Sequence, residues 1–148
     1  MENDPLYILL ADDDESDRLL FKEAFAEIKI QTVVNTVNDG TELMEWLNLN
    51  NNRSPDLLFL DLNMPCKNGV ECLLEIKSDK RLKDIFIAIY STSNNEKDIE
   101  ETFCNGANVY ITKPSRFEML KQVLERVVLV TYQYRDQSLK RENFLLKI

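Results

Sequence analysis

The chain has 148 residues, a length typical of one domain with a single core. Its 26 acidic residues outnumber its 18 basic ones, and the resulting net charge of −8 disfavours direct binding to nucleic acid phosphates. The sequence contains no histidine, which excludes histidine triads, histidine-ligated zinc and phosphohistidine on this chain. It also lacks a long apolar run and a basic N-terminal signal, so we expect a cytoplasmic protein that does not span a membrane.

The cysteines do not form a disulfide framework. Their number is odd, and Cys66, Cys72 and Cys104 contain no C-x-x-C pair. We expect Cys72 and Cys104 to be small core residues and Cys66 to lie in an exposed loop.

Short apolar runs alternate with segments of helical periodicity. The predicted strands are 6–11, 32–37, 57–60, 85–90 and 109–111. The predicted apolar helix faces are carried by Leu20, Ala24, Phe25 and Ile28; by Leu43, Trp46 and Leu47; by Val70, Leu73 and Leu74; by Ile99 and Phe103; and by Phe117, Leu120, Val123, Leu124, Val127 and Val128. Gly106 is a suitable end for the fourth helix. Five strands alternating with five helices predict an α/β fold whose parallel sheet is covered on both faces.

Polar side chains follow several of these predicted strands. They are Asp12–Asp13, Asp61, Ser91–Thr92 and Lys113. The carboxyl ends of parallel strands meet at one edge of a sheet, which is where ligands bind in such folds. Three carboxylates placed together repel each other unless a cation lies among them, and oxygen ligands without histidine or thiolate favour Mg²⁺.

Four segments resemble the receiver domain of two-component response regulators: 8–14, 57–65, 89–93 and 106–114. They occur in the order and spacing of that family, and the resemblance extends over roughly residues 6–130. It implies a flavodoxin-like or CheY-like sheet with strand order 2-1-3-4-5. It also implies a receiver domain at 1–131 and a C-terminal extension at 132–148. About 17 residues would follow the fifth helix, too few for an output domain.

By this resemblance Asp61 is the phosphoacceptor. Asp13, Asp61 and the backbone carbonyl of Asn63 would ligate Mg²⁺, with Asp12 acting through a bound water. Lys113 would pair with Asp61 or with its phosphoryl oxygens. Phosphoryl transfer depends on positioning and charge neutralisation more than on an acid or base, so a site without histidine can perform it.

The resemblance also implies a conformational switch. Ser91, with Thr92 beside it, would donate a hydroxyl to the phosphoryl group, and Tyr110 would turn inward to fill the vacated space. The alternative is that Tyr110 is an ordinary core residue. The family further suggests a cis peptide bond between Lys113 and Pro114.

The expected function is that of a single-domain response regulator. It would accept a phosphoryl group from a sensor histidine kinase or a histidine phosphotransfer protein, and signal through an unidentified downstream protein or a phosphorelay. It would catalyse only its own phosphorylation and dephosphorylation. One alternative is an aspartyl-phosphate phosphatase of the haloacid dehalogenase type, disfavoured because Asn63 occupies the position of the acid–base aspartate. Another is an unphosphorylated scaffold, disfavoured because Asp61, Asp13 and Lys113 are all present.

The C-terminal segment, Tyr132 to Ile148, carries four basic and two acidic residues in an otherwise acidic chain. It also contains apolar residues, namely Leu139, Phe144, Leu145, Leu146 and Ile148. We predict that this segment docks on a receiver surface. That surface belongs either to the same chain or to a second subunit, and the latter would produce a homodimer.

Overall fold

A computed structural model describes residues 4–49 and 53–136, and within them five strands alternate with five helices. The strands are β1 (Leu6–Ala11), β2 (Thr32–Val37), β3 (Leu57–Leu60), β4 (Phe86–Ser91) and β5 (Val109–Thr112). The helices are α1 (Glu15–Glu27), α2 (Gly40–Asn48), α3 (Gly69–Lys77), α4 (Glu96–Cys104) and α5 (Phe117–Asp136). All strand pairs are parallel and the order is β2-β1-β3-β4-β5, which confirms the predicted fold.

The sheet is covered on both faces by apolar side chains. One layer of core packs α2, α3 and α4 against the sheet, and the other packs α1 and α5 against the opposite face. Strand β3 has no exposed residue because Leu58 and Leu60 enter the first layer while Leu57 and Phe59 enter the second. A strand that is apolar throughout is typical of a parallel sheet with both faces buried.

Strand register brings the predicted site residues to one edge. Ala11, the last residue of β1, pairs with Leu60, the last residue of β3. Asp61, the residue after β3, continues the ladder by donating its backbone N–H to the carbonyl of Ala11 at 3.0 Å. In the neighbouring pair of strands β4 and β5, the backbone N–H of Lys113 donates to the carbonyl of Ser91 at 2.8 Å, at the same carboxyl edge of the sheet.

Two predicted helix faces are displaced from the buried ones. Leu20 is 43% exposed, whereas its neighbour Phe21 is fully buried because its ring packs edge-on against Phe59 at 4.9 Å between centroids. Leu74 is likewise exposed while Leu73 is buried. A step of one residue rotates a helix by about 100°, so Leu20 and Leu74 point away from the side of each helix on which Phe21 and Leu73 pack.

Two further expectations are wrong. Cys104 is exposed, because it lies two residues beyond the buried Thr102 and therefore on the opposite side of α4. The described residues contain no cis peptide bond, so Lys113–Pro114 has the trans form that proline also favours intrinsically. Cys72 is buried and Cys66 is exposed, as predicted. Gly106 follows α4 with φ of 100°, a conformation suited to a glycine that ends a helix.

Helix α5 extends to Asp136 and thus continues across the predicted boundary between residues 131 and 132. The apolar residues of the C-terminal segment, from Leu139 onward, lie outside the described residues, and their docking stays a prediction. Within the described ranges, no helix has both the length and the apolar character needed to cross a bilayer.

Candidate functional site

Three carboxylates meet at the carboxyl edge of the sheet, and we refer to Asp12, Asp13 and Asp61 as the acidic cluster. Each offers a carboxylate oxygen that lies within 4.8 Å of the other two. Asp12 and Asp61 are buried at the ends of their strands, whereas Asp13 is exposed. Three oxygen donors with an open side fit a hard divalent cation, which retains several water ligands.

The pKa of the buried Asp12 carboxyl group differs from its usual value. Burial raises the pKa of its carboxyl group to about 6, and repulsion from Asp61 adds to this effect. Hydrogen bonds from Lys113 and from the backbone N–H of Asp14, the latter at 2.9 Å, act in the opposite direction. The cluster therefore holds one carboxylate that is costly to ionise while no cation is bound.

Lys113 is the cation that the protein itself supplies to this cluster. Its Nζ atom lies 2.8 Å from Asp12 Oδ2, 2.8 Å from Asp17 Oδ2 and 3.2 Å from Asp61 Oδ2. Burial alone would lower the pKa of Lys113, but its hydrogen bonds to these carboxylates outweigh burial and raise the pKa above its usual value. The ammonium group is therefore charged at any physiological pH.

Asp17 is a member of this network that the sequence analysis did not identify. It lies in the first turn of α1, where its backbone N–H donates to the side chain of Asp14, the N-terminal cap of the helix, at 3.0 Å. The sequence does place an acidic residue one helical turn beyond Asp13. Acidic residues are common at helix N-termini, however, so this position alone does not identify Asp17 as a partner of Lys113.

A hydrogen-bonded chain connects Ser91, at the end of β4, with Tyr110 on β5. The hydroxyl of Ser91 accepts from the backbone N–H of Ser93 at 3.2 Å, and the carbonyl of Ser93 accepts from the Tyr110 hydroxyl at 2.8 Å. The Ser93 hydroxyl donates to Asp98 of α4 at 2.7 Å. Ser91 and Tyr110 are fully buried, and Thr92 is exposed. Ser93 is thus the connecting residue, and the sequence analysis missed it.

Tyr110 already occupies an inward position in this structure, and burial raises the pKa of its hydroxyl. Asn63 is exposed, and its backbone N–H donates to Asp61 Oδ1 at 3.2 Å. The roles assigned to the carbonyl of Asn63, to Thr92 and to switching by Tyr110 stay predictions.

Asp12→Asn is expected to stabilise the metal-free protein at neutral pH by about 3 kcal/mol, because burial disfavours the ionised carboxylate more than its hydrogen bonds favour it. The pKa of Asp12 is raised from 3.8 to about 6, so its carboxyl group stabilises the fold fully below pH 3.8 and loses that contribution as the pH rises through 6. The free energy of unfolding of the wild type should therefore fall below that of the variant as the pH rises over this interval. Urea unfolding with a chelator, at a series of pH values, measures the difference.

The matched control for Asp12→Asn is Asp13→Asn, which removes the same charge from an exposed position. Its effect on the free energy of unfolding should be within about 0.5 kcal/mol. An Asp12→Asn variant no more stable than wild type at neutral pH would contradict this account of the buried carboxylate.

Comparison with known proteins agrees with this geometry. A model of the response regulator receiver domain matches residues 8–125. The chain is 33% identical over 129 residues to the response regulator Rcp1 of Synechocystis, covering 84% of this chain and 88% of that protein. It is 32% identical over 127 residues to the probable methanogenesis regulatory protein FilR2 of Methanothrix harundinacea, covering 84% and 82% respectively.

Solved structures give the same result. The phosphorylated cyanobacterial phytochrome response regulator RcpA is 40% identical with a TM-score of 0.78, over 84% of this chain and 91% of that one. The Mn²⁺-bound form of Rcp1 is 32% identical with a TM-score of 0.76, over 83% and 91%. The chain belongs to the response regulator receiver domain family, whose members are two-component signalling proteins rather than classical enzymes.

Proposed function

We propose that this chain is a Mg²⁺-dependent phosphoacceptor that receives a phosphoryl group on Asp61 from a histidine kinase or a histidine phosphotransfer protein. The observation that carries the proposal is the position of Asp61, a buried carboxylate between two further carboxylates and the ammonium group of Lys113. Similar proteins support it, since RcpA was crystallised in a phosphorylated form and Rcp1 with Mn²⁺.

The chemistry requires a nucleophile and positive charge around the transferred group. An oxygen of Asp61 attacks phosphorus while the bond from phosphorus to the donor's imidazole nitrogen breaks, and that nitrogen keeps the electron pair and takes up a proton. Lys113 offsets negative charge that develops on the phosphoryl oxygens. Mg²⁺ held by Asp13, Asp61 and the carbonyl of Asn63, with Asp12 acting through water, would supply further positive charge.

The signal would leave through the loop between β4 and α4. A phosphoryl group on Asp61 attracts the Ser91 hydroxyl, which at present accepts from the Ser93 N–H. Movement of Ser91, with Thr92 beside it, would disturb Ser93 and thereby its bonds to Tyr110 and Asp98. The surface of α4, β5 and α5 would then present a different shape to a downstream protein, a second subunit or a further relay component.

Neither alternative function gains support from the comparisons, because the matched family and the similar proteins are response regulators. Incubation with acetyl phosphate and Mg²⁺, followed by intact mass measurement, separates the three functions. A phosphoacceptor accumulates one acid-stable, base-labile phosphoryl group. A phosphatase hydrolyses the donor over many turnovers without retaining label, and a scaffold neither labels nor hydrolyses it.

Mg²⁺ is expected to raise the melting temperature of the wild-type protein. Ligand binding at ten times the dissociation constant stabilises the folded state by about 1.4 kcal/mol, which corresponds to a few degrees for a chain of this size. Differential scanning fluorimetry with Mg²⁺ measures the shift. An Asp13→Asn/Asp61→Asn double variant should lose most of it, and an identical shift in both proteins would place Mg²⁺ elsewhere.

A further inference from the structure

Asp17 competes directly with the phosphoacceptor for Lys113. Its Oδ2 atom lies 2.8 Å from Lys113 Nζ, whereas Asp61 Oδ2 lies at 3.2 Å. Asp12 Oδ2 also lies 2.8 Å from Lys113 Nζ. The lysine is therefore bound most closely by two carboxylates that do not take part in bond formation.

The hydrogen-bonding capacity of Lys113 is fully used in this arrangement. An ammonium group has three N–H donors, and the side chains of Asp12, Asp17 and Asp61 accept one each. An incoming phosphoryl group adds negatively charged acceptor oxygens beyond Asp61. Lys113 must move toward them to stabilise them, and this movement lengthens at least one of its existing bonds.

Burial determines which bond is the easiest to release. The Asp12 side chain is fully buried, so loss of its lysine partner would leave an uncompensated charge in the protein interior. The Asp17 side chain is 32% exposed, against 9% for Lys113, so water can solvate its carboxylate after the lysine departs. The bond to Asp17 is thus the one that yields.

We infer that Asp17 is a positioning residue that restrains Lys113, and that phosphorylation of Asp61 requires the lysine to give up its ion pair with Asp17. The inference rests on the proposed function. Asp17 slows phosphoryl transfer by keeping part of the lysine's charge on α1, and the ion pair that it forms marks the unphosphorylated state. Release of this pair on phosphorylation also removes an ion pair between the first turn of α1 and the residue that follows β5.

The test compares rates of phosphorylation by acetyl phosphate at saturating Mg²⁺ in wild type, Asp17→Asn, Asp17→Glu and Glu15→Gln. Asparagine keeps the shape of Asp17 but weakens a charge-assisted bond by about 1 kcal/mol, so the maximal rate should rise about fivefold. The donor concentration at half-maximal rate should change little. Asp17→Glu retains the ion pair and should stay close to the wild-type rate.

Glu15→Gln is the matched control, because Glu15 is an exposed acid in the same helical turn. It removes the same charge from the same helix end without removing a partner of Lys113. An equal acceleration in Glu15→Gln would reveal a general charge effect and overturn the inference, as would an unchanged or slower Asp17→Asn. Wild type and Asp61→Asn are measured in the same experiment. An unlabelled wild type would contradict the proposed function itself. If the wild type is labelled normally, the result for Asp17→Asn tests the role of Asp17 alone.

Discussion

Asp61→Asn is expected to abolish phosphorylation by either a phosphorylated kinase or acetyl phosphate, while the protein remains folded. The substitution replaces the nucleophilic carboxylate oxygen by an amide of nearly the same shape. It also removes one of the three charges of the acidic cluster, so the metal-free melting temperature should not fall. Intact mass measurement and circular dichroism melting provide the two readouts.

The control for Asp61→Asn is Asp84→Asn, the same chemical change at an exposed aspartate that precedes β4 and so lies at the opposite end of the parallel strands from the acidic cluster. This variant should label at the wild-type rate. Undiminished labelling of Asp61→Asn would exclude Asp61 as the acceptor, and labelling that moves to a neighbouring carboxylate would be seen by peptide mapping. If Asp61→Asn loses both labelling and the folded signal, Asp61→Glu becomes the deciding variant because it keeps a carboxylate. Asp61→Glu should remain folded, and its rate of labelling should be far below that of wild type.

The fold was predictable because its signals are local and repeated. Strand β3 is an uninterrupted apolar run, and Gly106 ends α4 with the backbone conformation expected of a terminal glycine. One error arose where two apolar residues are adjacent, at Leu20 and Phe21. Periodicity cannot choose between neighbours that differ by one helical step, and here the contact of Phe21 with Phe59 decides.

The candidate site was predictable to the extent that its residues follow strands. Parallel topology places Asp12, Asp61 and Lys113 at one edge, and their ion pairs follow from that position. Asp17 and Ser93 could not be inferred in the same way. Each reaches the site from a helix turn or a loop, where acidic and hydroxyl residues are common caps, and only the folded geometry distinguishes a cap from a partner.

Gly69→Ala is expected to destabilise the protein by about 3 kcal/mol and to slow phosphorylation by about 100-fold. A Cβ atom at Gly69 would lie 2.3 Å from the carbonyl oxygen of Asp61 and 2.7 Å from the Cα atom of Leu62. Neither backbone atom can rotate away, so the first turn of α3 or the backbone of the phosphoacceptor must shift. Urea unfolding and acetyl phosphate labelling measure the two effects.

Gly106→Ala makes the same substitution in a different environment. Its Cβ atom would meet the flexible side chain of Lys77 at 3.2 Å, and its φ of 100° carries a conformational cost of about 1 kcal/mol. This variant should lose some stability but label at the wild-type rate. A Gly69→Ala protein that labels as fast as Gly106→Ala would show that the Asp61 backbone tolerates the added methyl group. The close approach of α3 would then serve stability alone, and the position of the acceptor carboxylate would be fixed by β3 and Lys113.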